Sequence, residues 1–388
     1  MLLGLANVGT SLAAVPTAVG EGGFQSIAPY ALLIDADTGT VLFEKNADAL
    51  MAPASTAKIM TAEVVFHEIK EGRLRLDDKF LVSEHAWRTG GAPSHGSAMF
   101  AVPNSRIAVE DLIKGLVIDS GNDAAIVLAE GIAGSEEQFA AMMNRRAREI
   151  GMTKSTFTNP WGRGDPGQKV TARDMAVLAD YVITTYPALY RYFGQRDFTW
   201  DRVHQLNRNP LLTMNIGADG LKTGDLTQSG YGIVGSAVQK GERLILVLNG
   251  LRTGRDRSNE SLKLLDWGFR SFEPKQLYAA GETVGAAKVY GGAESEVPLV
   301  TEKPVAMLVP RGNDERLTGK IVYKGPLSAP VEKGAKVAEI KIFRNGTEIL
   351  SAPLRTAEAV PVGSLPHRAM DAGLEFLTTL IRQNFTRH

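Results

Sequence analysis

The sequence contains no cysteine. That excludes disulfides, thiolate metal sites and a cysteine nucleophile, but it leaves the compartment open because many exported proteins also lack cysteine. Net charge is missing too, with 43 Lys and Arg against 43 Asp and Glu. No whole-molecule field therefore draws the chain to nucleic acid or an anionic surface, and a charged partner must be met by a local patch. The six histidines show no H-E-x-x-H or similar ligand spacing, and the acidic residues form no calcium loop, so no metal is expected. After the first residues no stretch reaches the ~18 consecutive apolar residues of a spanning helix. What is present is 388 residues, 44% of them hydrophobic, enough for a large core and more than one domain.

The opening MLLGLANVGTSLAAVPTAVG carries no charge and resembles the apolar region and cleavage zone of a signal peptide, although a positive leading region is missing. Residues 1–24 are thus expected to be a signal-like or disordered lead-in to an exported protein. Tyr30 to Asp35 and Thr40 to Glu44 flank Asp37-Thr-Gly39 and predict a hairpin. A helix is expected from Pro53 to about Ile69, then an α-rich block: Val109 to Leu116, Asn122 to Ile132, Glu136 to Ile150 and Thr171 to Tyr186. Strand-like runs at Leu221 to Thr223, Gly232 to Ala237 and Arg243 to Asn249 follow, and then a closing helix from Asn259 to Phe272. Beyond it, short runs such as Lys288 to Tyr290, Val305 to Val309, Gly319 to Tyr323 and Val337 to Phe343 alternate with Gly and Pro turns and predict a small all-β domain over 273–363. In the last segment, 364–388, Met370, Leu374, Leu377, Ile381 and Phe385 recur at helical spacing. An amphipathic helix lying in the plane of a membrane surface is expected there.

Three short strings bear on chemistry. Ser55-Thr-Ala-Lys58 puts a hydroxyl and an amine one helical turn apart at a helix start, a pair that can act as nucleophile and base. Such a string occurs by composition about once in a chain this long, and also reads as an N-capping Ser with a solvated Lys. Ser120-Gly-Asn122 falls between two helices and reads equally as a turn with an N-cap. Lys222-Thr-Gly224 falls on a strand, where a solvated Lys beside a glycine bulge is the bland alternative. The order S-x-x-K, S-x-N, K-T-G, each once and each in the matching context, is far more specific than any one of them. Gly230-Tyr-Gly-Ile-Val-Gly235 spells G-x-G-x-x-G, but no strand-to-helix transition follows, so no dinucleotide and no organic cofactor is expected.

With these motifs, residues from about 28 to 363 resemble the D-alanyl-D-alanine carboxypeptidases among the low-molecular-mass penicillin-binding proteins. Gln205-Leu-Asn-Arg-Asn209, Thr171-Ala-Arg-Asp174 and Asp266-Trp-Gly-Phe269 add to the likeness. The resemblance implies an α+β fold: a β-lactamase/transpeptidase-like catalytic domain over 25–272, with an antiparallel sheet and an α-rich subdomain, followed by the small all-β domain. It implies cleavage of the terminal D-alanine from peptidoglycan stem peptides through an acyl-enzyme that β-lactams also form. Ser55 would attack and Lys58 take its proton. Working near neutrality, Lys58 would need a pKa about 3 below the ordinary 10.4, a preference of ~4 kcal/mol for the neutral amine. Ser120 would relay the proton to the leaving D-alanine, Asn122 would hold the substrate amide, and Lys222 with Thr223 and Gly224 would receive the terminal carboxylate. The backbone N–H groups of Ser55 and Asp225 would form the oxyanion hole. Arg257, and with weaker grounds Arg208 and Arg252, would assist carboxylate recognition or else form surface ion pairs. Asp225 is expected to turn its carboxylate from the pocket towards a cation such as Arg257 or Arg252. The protein would be periplasmic and peripherally attached to the outer face of the cytoplasmic membrane.

Other members of the same superfamily stay in view. A β-lactamase of the E-x-x-L-N type needs a water-activating Glu, where this chain has Asn159-Pro-Trp-Gly-Arg-Gly-Asp165. DD-endopeptidase relatives usually lack a C-terminal β domain. A catalytically weak penicillin-binding scaffold would not need Ser55, Lys58, Ser120, Asn122 and Lys222 together.

Overall fold

The computed structural model describes residues 24–312, 317–344 and 346–365. The lead-in at 1–24, apart from Phe24, and the helix expected at 364–388, apart from Ser364 and Leu365, lie outside the described residues.

The hairpin Tyr30–Asp35 and Val41–Lys45 forms around a turn in which the Asp35 carboxylate accepts the Thr38 N–H at 3.1 Å. Its first strand pairs with Glu242–Leu251, which continues through Gly230–Gln239 to Ala218–Leu226, all antiparallel. The resulting order, Val41–Lys45, Tyr30–Asp35, Glu242–Leu251, Gly230–Gln239, Ala218–Leu226, leaves the last of these at an edge. Side chains alternate across a strand, and the central strand uses both faces. Ile245 and Val247 pack into the core shared with the helices, while Leu244, Leu246 and Leu248 face the opposite core under the helix Gly254–Ser271. That double burial is why Leu244 to Leu248 reads as an unbroken apolar run.

On the first face stand the helices Lys58–Lys70, Val109–Val117, Asn122–Ala133, Glu136–Glu149 and Ala172–Thr185. Lys58–Lys70 runs through the core, with Ile59, Met60, Val64, Val65 and Phe66 wholly buried. Glu63 on the same helix is also wholly buried, and it is balanced by Arg146 at 2.6 Å and the Tyr186 hydroxyl at 3.1 Å. The closing helix begins at Gly254, five residues before the expected Asn259, because Thr253 caps it by accepting the Asp256 N–H at 3.0 Å.

After that helix ends at Ser271, the strand Phe272–Tyr278 pairs with Val305–Pro310. Phe272 and Leu308 pack in the same core as Leu264 and Leu265. The remaining strands form a six-stranded sheet in the order Leu317–Tyr323, Lys336–Arg344, Thr347–Thr356, Glu296–Thr301, Thr283–Tyr290, Leu327–Ser328. It encloses its own core of Val297, Leu299, Ile340, Ile342 and Leu354. Among the described residues no helix is long and apolar enough to cross a membrane.

Candidate active site

Pro53 leads into a single 3-10 turn, Ala54–Ala57, that runs directly into the helix Lys58–Lys70. Ala54 sits at φ +50°, a left-handed conformation that costs a residue with a side chain. It is wedged against Gly162, where an added Cβ would lie 2.0 Å from the Ala54 carbonyl oxygen. Ser55 is left half-exposed at the head of this turn.

The three-residue spacing places Lys58 Nζ 3.1 Å from Ser55 Oγ, and the lysine is wholly buried. Nζ also lies 2.7 Å from Asn122 Oδ1 and 2.6 Å from the Trp161 carbonyl oxygen. Burial first, then the charges of Lys222 and Arg208, hold its pKa well below the ordinary lysine range. A neutral amine has two N–H donors and one lone pair. The two shorter contacts consume both donors, which leaves the lone pair towards Ser55 Oγ, the geometry of a base beside a hydroxyl nucleophile.

Asn122 opens the helix Asn122–Ala133, with its backbone N–H on the Ser97 carbonyl at 2.8 Å. Asp123 beside it accepts from the N–H groups of Met99 at 2.9 Å and Ala101 at 3.0 Å, tying residues 97–101 to this loop. Ser120 is buried at φ +62°, and no hydrogen bond joins its hydroxyl to Ser55 or Lys58.

Lys222, Thr223 and Gly224 lie on the edge strand Ala218–Leu226. A Cβ on Gly224 would meet the backbone nitrogens of Ser55 and Thr56 at 2.9 Å, so only glycine lets the strand come this close. Lys222 is buried, with Nζ on the Thr223 carbonyl at 3.1 Å. Burial, then Arg208 and Arg257, pushes its pKa down to about 7.

The expected ion pair of Asp225 with Arg257 or Arg252 is not formed. Asp225 is exposed, and Arg257 lies instead over the ring of Tyr231, the cross-strand partner of Asp225, at 5.6 Å. The Arg257 guanidinium feels the Asp225 carboxylate only at longer range. Arg208 is exposed. Arg252 lines an open cleft of about 950 Å³ with Leu226, Gln228, Gly164 and Asp165.

Two participants were missed in the sequence. Trp161 contributes only a backbone oxygen to Lys58, and its loop is folded by Asn159, whose Oδ1 accepts the N–H groups of Gly162 at 2.9 Å and Arg163 at 3.0 Å. An Asn-Pro pair before a glycine was the available signal. Asp119, next to Ser120, is buried with neither carboxylate oxygen hydrogen-bonded, and burial pushes its pKa up to about 7 against the pull of Arg208. Among the described residues no cluster of three His, Cys, Asp or Glu side chains is arranged to hold a metal.

Residues 17–253 match the family described as D-alanyl-D-alanine carboxypeptidase, and residues 272–362 match the C-terminal domain of penicillin-binding protein 5. The chain is 41% identical over 343 residues to the D-alanyl-D-alanine carboxypeptidase DacC of Escherichia coli, covering 88% of this chain and 86% of that one. Penicillin-binding protein 5 of Haemophilus influenzae superposes with a TM-score of 0.75 at 35% identity, covering 87% of this chain and 98% of that one. Penicillin-binding protein D2 of Listeria monocytogenes, solved in its ampicillin-bound form, gives a TM-score of 0.57 at 29% identity over 63% of this chain and 98% of its own.

Proposed function

The chain belongs to the D-alanyl-D-alanine carboxypeptidase family, and on that premise we propose how its residues share the work. The protein is a serine-type hydrolase that removes the terminal D-alanine from peptidoglycan stem peptides. An edge strand offers unpaired backbone groups to an extended peptide, so the substrate lies along Ala218–Leu226. Its terminal carboxylate rests on Lys222 and Thr223, with Arg257, and more remotely Arg208 and Arg252, adding positive field. An anion bound there favours the charged form of Lys222.

Ser55 Oγ attacks the carbonyl between the two D-alanines while its proton passes to Lys58 Nζ. The carbonyl oxygen, now negative, accepts from the backbone N–H groups of Ser55 and Asp225. The C–N bond breaks as Ser120 gives its proton to the leaving amine and takes one from the Lys58 ammonium in the substrate complex, which restores the neutral amine, and Asn122 steadies the substrate amide. Water then hydrolyses the Ser55 ester. β-Lactams acylate the same oxygen, a reading supported by the ampicillin-bound Listeria relative.

The observation that carries this reading is the buried, deprotonation-prone Lys58 with Nζ 3.1 Å from Ser55 Oγ and both remaining donors engaged. Release of free D-alanine from a peptide ending in D-Ala-D-Ala, together with labelling by a fluorescent penicillin, tests it. Ser55→Ala is expected to lose both, and an adduct mapped to any other residue overturns the assignment.

The catalytic domain is taken as 25–272 and the β domain as 273–363, supported by the end of the closing helix at Ser271. Because stem peptides are found outside the cytoplasmic membrane, the protein works there after export. We propose that residues 364–388, in whose sequence Met370, Leu374, Leu377, Ile381 and Phe385 recur at helical spacing, attach it peripherally. Liposome flotation that is unchanged by deleting 364–388 would refute the attachment.

A further inference from the structure

The Trp161 carbonyl that takes one Lys58 donor belongs to a residue whose side chain is anchored elsewhere. Indole Nε1–H of Trp161 donates to Glu136 Oε2 at 2.9 Å, and the other oxygen of that carboxylate holds His85 Nε2 at 2.9 Å. Glu136 stands in the first turn of the helix Glu136–Glu149, capped by Ser135, where a carboxylate is favoured by the helix dipole. Arg163 covers the indole face at 5.8 Å. A continuous path thus runs from the helix terminus through the indole to the oxygen 2.6 Å from Lys58 Nζ.

We propose that Glu136, acting through the Trp161 indole, is a positioning residue for Lys58, holding the Trp161 carbonyl so that the amine lone pair faces Ser55. This rests on the reading of Lys58 as the base. A neutral amine free to rotate spends only part of its time with the lone pair on the hydroxyl. Each fixed acceptor removes that freedom, and a displacement of about 1 Å in such a constellation costs on the order of 10²-fold in rate. The carbonyl also stabilises the ammonium form, so loosening it lowers the pKa of Lys58 further. The charges that act on Lys58, those of Lys222, Arg208, Asp123 and Asp225, are untouched by a change at Trp161.

The test separates the acylation rate constant from pre-acylation affinity, using a fluorescent penicillin and the full chain across a pH series. Trp161→Phe keeps the ring and removes the N–H. It is expected to lower the plateau acylation rate about tenfold, to leave affinity within about twofold, and to move the acid limb to lower pH, which a loss of folded protein would not do. Glu136→Ala is expected to match it in rate. Glu136→Gln, whose amide oxygen still accepts the indole N–H, is expected to recover to within about threefold. The double variant Trp161→Phe/Glu136→Ala is expected to be no worse than either single, as for two residues on one path. A normal rate and limb in Trp161→Phe, Gln no better than Ala at position 136, or additive losses in the double variant would each overturn the proposal. Lys58→Gln run alongside distinguishes the two levels: if it acylates normally the base assignment itself fails, and if it does not, a normal Trp161→Phe refutes only the positioning role.

Discussion

Lys58 Nζ and Asn122 Oδ1, 64 positions apart in sequence, meet at 2.7 Å in a buried contact. The asparagine therefore touches the base, and a charge placed at its position would act directly on Lys58.

Asn122→Asp tests this contact. A carboxylate at that distance favours the ammonium form and raises the pKa of Lys58 by roughly one to three. Acylation by penicillin is expected to be nearly lost at neutral pH and to recover as the medium is made alkaline. A pH profile superimposable on the parent would show that the contact does not govern the base.

Lys222 supplies the opposite limb. With its pKa near 7 in the free enzyme, it gives up its proton as pH rises and its hold on a carboxylate weakens. The kcat/KM for a D-Ala-D-Ala peptide is expected to bend downward above pH about 7, approaching tenfold per pH unit where this one group dominates. In Lys222→Arg the cation persists at high pH, and the bend should vanish even if the plateau falls. An alkaline limb retained in that variant assigns it to another group.

Asp119 is a question of stability. Its folded pKa, about 7, is above the unfolded value near 3.9. The folded state therefore binds the extra proton between those limits, and stability declines as pH rises through that window. Complete ionisation costs up to about 4 kcal/mol as an upper bound. Asp119→Asn carries no such cost, so its melting temperature should exceed the parent's at pH 8 by more than at pH 4.5. An equal difference at both pH values would mean the carboxylate is not strained by burial.

Gly224→Ala places a methyl 2.9 Å from the Ser55 and Thr56 nitrogens. The edge strand or the nucleophile turn must move, and the N–H groups assigned to the oxyanion are disturbed together. A loss of at least ~10²-fold in acylation is expected, comparable to removal of an oxyanion donor, with thermal stability less affected than rate. Near-parent acylation would show that the strand can retreat without consequence.

Much of this architecture could be read before folding was considered. Helices Asn122–Ala133 and Ala172–Thr185 begin and end within a residue of their expected limits, because glycine, serine and threonine boundaries mark them locally. The strands Glu296–Thr301 and Thr347–Thr356 were less legible, since Pro298 and Pro353 interrupt them and their pairing with each other, Leu299 opposite Thr356, joins segments distant in sequence. The pair Ser55 and Lys58 was legible because three residues of helix bring them together whatever the rest of the chain does.

What the sequence by itself determined is the chemical inventory: the hydroxyl, the amines, the amide and their order along the chain. Only the tertiary structure decided their states. Burial of Lys58 beside Asn122 and the Trp161 carbonyl joins segments far apart in the chain, and the proximity of Lys58 and Lys222 depends on an edge strand that glycine allows against the nucleophile turn. The contribution of Trp161 is a backbone oxygen, which every residue has, so the Trp161 side chain itself could not announce it, and the Asn159-Pro160 signal marked only a turn. Asp225 shows the same limit from the other side. Its charge was visible in the sequence, but whether Arg257 would neutralise it depended on Tyr231 lying across the strand pair to receive the guanidinium instead.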